Sequence, residues 1–307
     1  MSDGTARESA LQVEGLTKTF GQRTAVDDVT FAVSPGEIFG FLGPNGSGKT
    51  TTIRMALDII RPDRGSVRIL GSPTGLPVLG GVGYLPEESG LPPKARVFDT
   101  VRYLARLKGL SRTEAETRAD ELLTRVGLYE HRLKKVEALS QGMRQMAQFV
   151  VAIAHRPQLL ILDEPFSGLD PLNVRLMKQI LVEHQQEGAT IMFSTHIMSD
   201  VEEMCQRIVL IADGKVLLFG DVSTIRRERG VRTVQVQAAG IPEGLRDEQP
   251  RALANDTLEY EIGSGPTPDE ILRSYVAAGI QVDRFERMLP SLNDIFIEEV
   301  SRARKRS

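Results

Sequence analysis

The sequence has 307 residues, 41% of them hydrophobic, with a formal net charge of −3; it is long enough for two domains with cores of their own and offers no bulk electrostatic attraction to nucleic acid. The one cysteine, Cys205, excludes an internal disulfide and fits a reducing compartment. No apolar run approaches the roughly 20 residues that span a bilayer, the stretch 149–154 being six residues long, and the polar start lacks the apolar segment of a secretory signal.

Residues 1–10 read as a flexible tail. Residues 11–33 alternate in polarity and break at Gly21-Gln22-Arg23, the pattern of antiparallel strands. Phe20 beside that turn reads as a core residue, with base stacking as the other use of a ring there. The apolar run 38–42 reads as a buried strand, and 51–60 as a helix with Ile53, Leu57 and Ile60 on one face. Between them stands Gly43-Pro44-Asn45-Gly46-Ser47-Gly48-Lys49-Thr50-Thr51, which matches G-x-x-x-x-G-K-[ST]. In a strand–loop–helix context the glycines let backbone N–H groups turn around a polyphosphate, and the helix N-terminus adds partial positive charge. Lys49 is expected to reach the β- and γ-phosphates and the Thr50 hydroxyl to bind Mg²⁺.

Short strands are expected at 66–70 and 82–85. The texture then turns helical: 97–109 has apolar residues at helical spacing, and Ser111-Arg112-Thr113-Glu114 is a capping box for a helix that ends at Gly127. Residues from about 87 to 140 read as a helical insertion. Leu139-Ser140-Gln141-Gly142-Met143-Arg144-Gln145 precedes another helix; Ser140 and Gly142 at its start fit either an anion site or an ordinary N-cap.

The run 159–162 reads as a buried strand ending in Asp163-Glu164, at the carboxyl end where open α/β sheets bind ligands. Asp163 is expected to hold Mg²⁺, and Glu164 to act as general base toward water. A helix over 174–186 and a strand over 190–194 follow, and Ser194-Thr195-His196 stands out at that strand's end, where His196 could contact a γ-phosphate. Residues 207–219, broken at Asp213-Gly214-Lys215, read as a hairpin. Strands alternating with helices mean an α/β fold with a largely parallel core. Residues 226–230 read as a charged linker. Beyond it, strands at 233–238, 257–262 and 281–288 and helices at 269–278 and 291–300 read as a small α+β domain. Residues 301–307, with Arg302, Arg304, Lys305 and Arg306, read as a basic solvated tail, with contact to anionic lipid head groups as the other use.

Taken together, these motifs resemble the ATP-binding cassette family: 43–51 as Walker A, 139–145 as the signature, 159–164 as Walker B, Ser167-Gly168-Leu169-Asp170 as the D-loop and His196 as the switch histidine. The resemblance covers about 11–220 and keeps the motifs in one order. It implies a P-loop NTPase cassette core at 11–222, a mixed sheet with an antiparallel β subdomain and a helical insertion (about 87–140), and an accessory α+β domain at 231–300. It implies ATP and Mg²⁺ as cofactors, with Phe20 stacking on adenine and Thr50, Asp163 and Glu87 about the metal. It also implies a head-to-tail dimer with a second cassette, either a copy of this chain or a different subunit, in which Leu139, Ser140, Gln141, Gly142 and Met143 of one chain meet the nucleotide of the other. Gln141 and Met143 stand where the family commonly has Gly and Gln. Glu87, in Pro86-Glu87-Glu88, stands where it usually has a Gln that reaches Mg²⁺ and the lytic water, so it brings negative charge near the γ-phosphate.

Tyr84-Leu85-Pro86-Glu87-Glu88 and the 139–143 segment resemble ATPase subunits of bacterial sodium-, drug- and antibiotic-export systems, and Pro290-Ser291-Leu292-Asn293-Asp294-Ile295-Phe296-Ile297 resembles a C-terminal domain found in the same group. That implies a cytoplasmic subunit, peripheral on the inner face of the membrane, working with a separately encoded multi-span permease and with no nucleic acid. A soluble cassette ATPase acting on ribosomes or DNA is the alternative; such members carry two cassettes or long coiled coils, and this chain has one cassette and no sustained heptads.

Overall fold

The apolar runs of the sequence become strands that share one edge. The computed structural model describes residues 9–229, 232–253, 255–263 and 265–306, and the chain divides into two units, 1–221 and 222–307. In the first, β1 (Leu11–Phe20), β2 (Arg23–Val33), β4 (Arg64–Ile69) and β5 (Ser72–Pro73) form an antiparallel sheet in the order β2-β1-β4-β5. A six-stranded sheet has the order β10-β9-β3-β8-β7-β6. Its members are β3 (Ile38–Leu42), β6 (Val82–Leu85), β7 (Leu159–Asp163), β8 (Thr190–Thr195), β9 (Arg207–Ala212) and β10 (Lys215–Asp221).

Strands β6, β7, β8, β3 and β9 pair in parallel, and β10 closes the edge as the antiparallel arm of the expected hairpin. Strands β3 and β7 are buried at every residue, as a parallel sheet covered on both faces requires. Helix α1 (Lys49–Ala56) packs between the sheets, and Val13, Phe31, Phe39, Phe41, Ile53 and Ile161 belong to their common core. The Phe31 and Phe39 rings stack at 5.8 Å. Because β3, β6, β7 and β8 run the same way, the segments after them emerge side by side: the glycine loop, Pro86-Glu87, Glu164 and His196.

Between β6 and β7 the chain is helical. After α2 (Leu76–Leu79), which precedes β6, come α3 (Val97–Leu107), α4 (Arg112–Arg125) and α5 (Gln141–Ile153). Ser111 and Glu114 form the expected reciprocal cap on α4. Helices α6 (Pro171–Gln186) and α7 (Met198–Met204) connect β7, β8 and β9. The second unit holds α8 (Val222–Glu228), β11 (Arg232–Ala238), β12 (Arg251–Ala252), β13 (Thr257–Ile262), α9 (Pro268–Ala277), β14 (Val282–Met288) and α10 (Leu292–Arg306). Its antiparallel sheet runs β12-β13-β11-β14. The buried Tyr260 and Tyr275 hydroxyls bond each other at 2.8 Å within its core. Among the described residues no helix is long and apolar enough to cross a membrane.

Four expectations differ from the structure. Helix α1 starts at Lys49 and stops at Ala56 instead of spanning 51–60, because Asp58 turns to φ +58° and ends the ladder. The segment 226–230, expected as a linker, belongs largely to α8, whose Val222 and Ile225 are buried. The basic end is helical as far as Arg306, and Arg302 pairs with Glu298 and Glu299; Ser307 lies outside the described residues. Of the expected tail, residues 1–8 lie outside the described residues, whereas Ala10 is buried and donates its N–H to the Val33 carbonyl at 2.9 Å.

His155, just beyond α5, places Nε2 3.2 Å from the Val82 carbonyl. Burial first, and the Lys108 ammonium second, lower its pKa to about 4. The unfolded chain, with a histidine near pKa 6.5, therefore binds more protons between these values, and stability falls as the pH drops through that window. Denaturant unfolding at pH 7 and pH 5 should show a smaller acid loss for His155→Asn than for the wild type; equal losses would contradict this.

Candidate active site

The loop after β3 is held open by backbone geometry. Gly46 and Gly48 have φ of +75° and +105°, a region that costs glycine little and other residues more. A Cβ on Gly48 would lie 2.5 Å from the Ala25 carbonyl, and one on Gly43 would lie 2.4 Å from the Ile211 carbonyl. The loop is thus pressed against β2 and β9. The first backbone bond of α1 runs from Thr52 N to Gly48 O, so the amides of Lys49, Thr50 and Thr51 are the free donors of a helix N-terminus.

A cavity of about 400 Å³ opens over this loop, lined by Phe20, Arg23, Ala25, Asn45, Gly46, Gly48, Lys49, Thr50, Thr51, Glu87 and Glu164. Phe20 is 49% exposed and belongs to the cavity wall, not the core. Arg23 escaped the sequence reading. It sits across the β1–β2 turn and donates from Nη2 to the Gly46 carbonyl at 3.2 Å, and its place in the turn triplet beside Phe20 was the available signal.

Lys49 is buried, with Nζ donating to Gly43 O at 2.7 Å and Pro44 O at 3.3 Å. It also lies 3.5 Å from Glu164 Oε1. The other carboxylate oxygen, Oε2, is 3.0 Å from His196 Nδ1. Glu164 holds this position in a left-handed turn at φ +49°. Its amide donates to Ser194 Oγ at 3.0 Å, and Ser194 Oγ donates to Asp163 Oδ1 at 2.5 Å. Ser194, singled out with Thr195 and His196 in the sequence but given no role of its own, is the residue that bridges the Asp163-Glu164 pair. Burial, and then the Asp163 carboxylate, push the neighbouring Tyr84 hydroxyl above its ordinary pKa.

Asp163 Oδ2, Glu164 Oε1 and Ser47 Oγ are buried without hydrogen-bond partners among the described residues. Buried oxygens without donors are costly unless a ligand serves them. Among the described residues no cluster of three or more His, Cys, Asp or Glu side chains could cage a metal, and Mg²⁺ is ordinarily held by one or two protein oxygens plus phosphates. Thr50 and Asp163 fit that donor set.

The other sequence-identified residues lie outside this cavity's lining. Ser140 caps α5, accepting from Met143 N at 3.3 Å. Leu139 is buried, while Gln141, Gly142 and Met143 form the first turn. This turn abuts 167–170: a Cβ on Gly142 would lie 3.4 Å from Gly168 O, and one on Gly168 would lie 2.9 Å from Gln141 Nε2. Ser167 is exposed, and Asp170 caps α6 by accepting from Leu172 N and Asn173 N.

Both units of the chain are similar to known proteins. Residues 26–167 match the family described as ABC transporter, and 220–300 match the C-terminal domain of DrrA1-3-like ATP-binding proteins. The chain is 39% identical over 293 residues to the ABC transporter ATP-binding protein YhaQ of Bacillus subtilis, covering 94% of this chain and 98% of that one. It is 35% identical over 245 residues to the Nod factor export ATP-binding protein I of Paraburkholderia xenovorans, covering 78% and 80%. A solved ATP-binding subunit of an ABC transporter superposes with a TM-score of 0.68 at 33% identity, covering 72% of this chain and 93% of that one.

Ser194→Ala should leave the Glu164 amide without an acceptor and Asp163 Oδ1 without a donor. The expected cost is about 1–3 kcal/mol of stability for each buried group left unpaired, measured by urea unfolding. A variant as stable as the wild type would contradict the bridging role.

Proposed function

The chain belongs to the ATP-binding proteins of ABC transporters, and from that premise we propose that it hydrolyses MgATP at two composite sites of a head-to-tail dimer and so drives export through a separately encoded membrane permease. The observation that carries the reading is the chain of contacts Lys49–Glu164–His196 beside the glycine loop. It sets a cation, a carboxylate and an imidazole where the phosphates of a bound nucleotide would end.

In this reading Phe20 stacks on adenine, and the amides of the loop and first turn of α1 take the phosphates. Lys49 leaves the Gly43 and Pro44 carbonyls for the β- and γ-phosphates, which also loosens its pairing with Glu164. Mg²⁺, held by the Thr50 hydroxyl and Asp163 with Glu87 near, would neutralise charge on the phosphates. Glu164 accepts the proton of the attacking water as the bond between the β,γ-bridging oxygen and the γ-phosphorus breaks, with that electron pair leaving on ADP. His196 orients Glu164 through Oε2. Each stabilising contact acts where charge develops.

The signature turn supports the dimeric part. Ser140 and Gly142 head an anion-favouring helix N-terminus but do not line the cavity of their own chain. A second copy, turned head to tail, gives that terminus a γ-phosphate to meet. The export direction is supported by the C-terminal match to DrrA1-3-like proteins and by the relative named for Nod factor export. The permease would place this subunit on the inner face of the membrane.

Glu164→Gln should lower steady-state ATP turnover by about 10²–10⁴-fold, the usual loss for a general base, while nucleotide binding is retained in a fluorescent-ATP titration. Turnover within twofold of the wild type would remove Glu164 as the base. Glu87→Gln should keep at least about half of the activity, because an amide can take the same place at the metal and water; a fall beyond tenfold would assign the carboxylate a specific role.

A further inference from the structure

Helix α5 carries two buried glutamines one turn apart, and both are bonded outward. Gln145 donates from Nε2 to the Pro165 carbonyl at 3.0 Å, just after Glu164. Gln148 donates from Nε2 to the carbonyls of Pro86 at 3.3 Å and Glu88 at 3.4 Å, which flank Glu87. Spacing of three residues puts both amides on one helix face. One helix therefore grips both loops that bring carboxylates to the cavity.

The grip at Gln148 has no substitute. Among the described residues, 86–90 make no other hydrogen bond or ion pair, so these two bonds are what ties the loop to the body. The Glu87 side chain is exposed and lines the cavity, with no bond of its own to fix it. Gln148 is 3% exposed, and its Oε1 is buried without a partner. A buried amide oxygen left unpaired is a cost that a methionine of similar length would avoid. Packing alone therefore does not account for glutamine at this position. The half of the amide that is used has two N–H donors and meets two acceptors.

We propose that Gln148 is a positioning residue for hydrolysis: by holding the two carbonyls that flank Glu87, it fixes the Glu87 carboxylate at the cavity mouth and makes its place depend on α5. Because α5 begins at the signature turn, a shift of that turn against a partner is transmitted to Glu87 through about two turns of helix. The inference rests on the ATPase reading above.

The test combines mobility and kinetics in the full chain. Cys205 is buried, and burial raises its thiol well above the ordinary pKa, so it is a poor nucleophile. A nitroxide label therefore goes selectively to Ser89→Cys on the exposed loop. Gln148→Met should add a mobile component to the label's spectrum that the parent lacks. It should lower kcat at least about tenfold, keep KM for ATP within about twofold, and shift Tm by less than about 3 °C. Glu87→Ala should lower kcat at least as far, and adding Gln148→Met to it should cost less than about a further twofold. Gln148→Leu serves as a second donor-less variant and should repeat the mobility change.

An unchanged label spectrum in both variants would overturn the proposal. So would kcat losses that multiply in the double variant, or an equal loss in binding, turnover and Tm, which marks a general prop. A wild-type chain without ATP turnover would sink the ATPase reading, and the label would still decide whether Gln148 grips the loop.

Discussion

The buried contact between Lys49 and Glu164 ties the glycine loop of one strand to the carboxylate turn of another. Both groups are charged types in a place where an uncompensated charge is costly, and breaking such a pair by removing one partner costs about 3–5 kcal/mol in typical cases. The pair therefore constrains everything around it. Lys49 turns back onto the carbonyls of its own loop, and Glu164 adopts a left-handed backbone to reach it. In the proposed function a polyphosphate gives Lys49 a stronger partner than the carbonyls and leaves Glu164 to its histidine. The arrangement is thus poised to change on binding, which is what a ligand-driven two-state element requires.

That contact exists because the strands are parallel. In register, Leu42 of β3 stands beside Thr195 of β8, and Asp163 of β7 stands beside Ser194. The sheet thereby brings residues from distant parts of the chain to one edge, and Ser194 closes the set by bonding both residues of the Asp163-Glu164 pair. The helical segment reaches the same edge from the side through Gln145 and Gln148, so the cavity is built by strand ends but steadied by a helix.

Much of this was legible in the sequence. The buried runs 38–42 and 159–162 showed as unbroken apolar stretches, since both faces of a parallel sheet are covered. The glycine loop and the capping box carried local chemistry that does not depend on the rest of the fold. What stayed hidden depends on tertiary neighbours. Arg23 and Ser194 act through residues more than 20 positions away; the turn beside Phe20 and the motif ending in His196 mark their neighbourhoods but not their partners. Gln148 drew no reading, being one of several polar residues of α5 with partners distant in sequence. The end of α1 at Ala56 was also hidden, because Leu57 and Ile60 continue the helical spacing past the point where Asp58 turns the backbone. Phe20 is the opposite case: a plain reading made it core, the family resemblance moved it to the nucleotide, and the structure puts it in the cavity wall.

In the proposed dimer Ser140 and Gly142 complete a site on another copy of the chain. Sedimentation velocity of the Glu164→Gln protein, with and without MgATP, tests it most directly. The protein should be a monomer that becomes a dimer when MgATP is added, with no such shift when Ser140→Arg blocks the helix terminus. A Glu164→Gln protein that binds ATP yet stays monomeric, or dimerises equally well with Ser140→Arg, would contradict it.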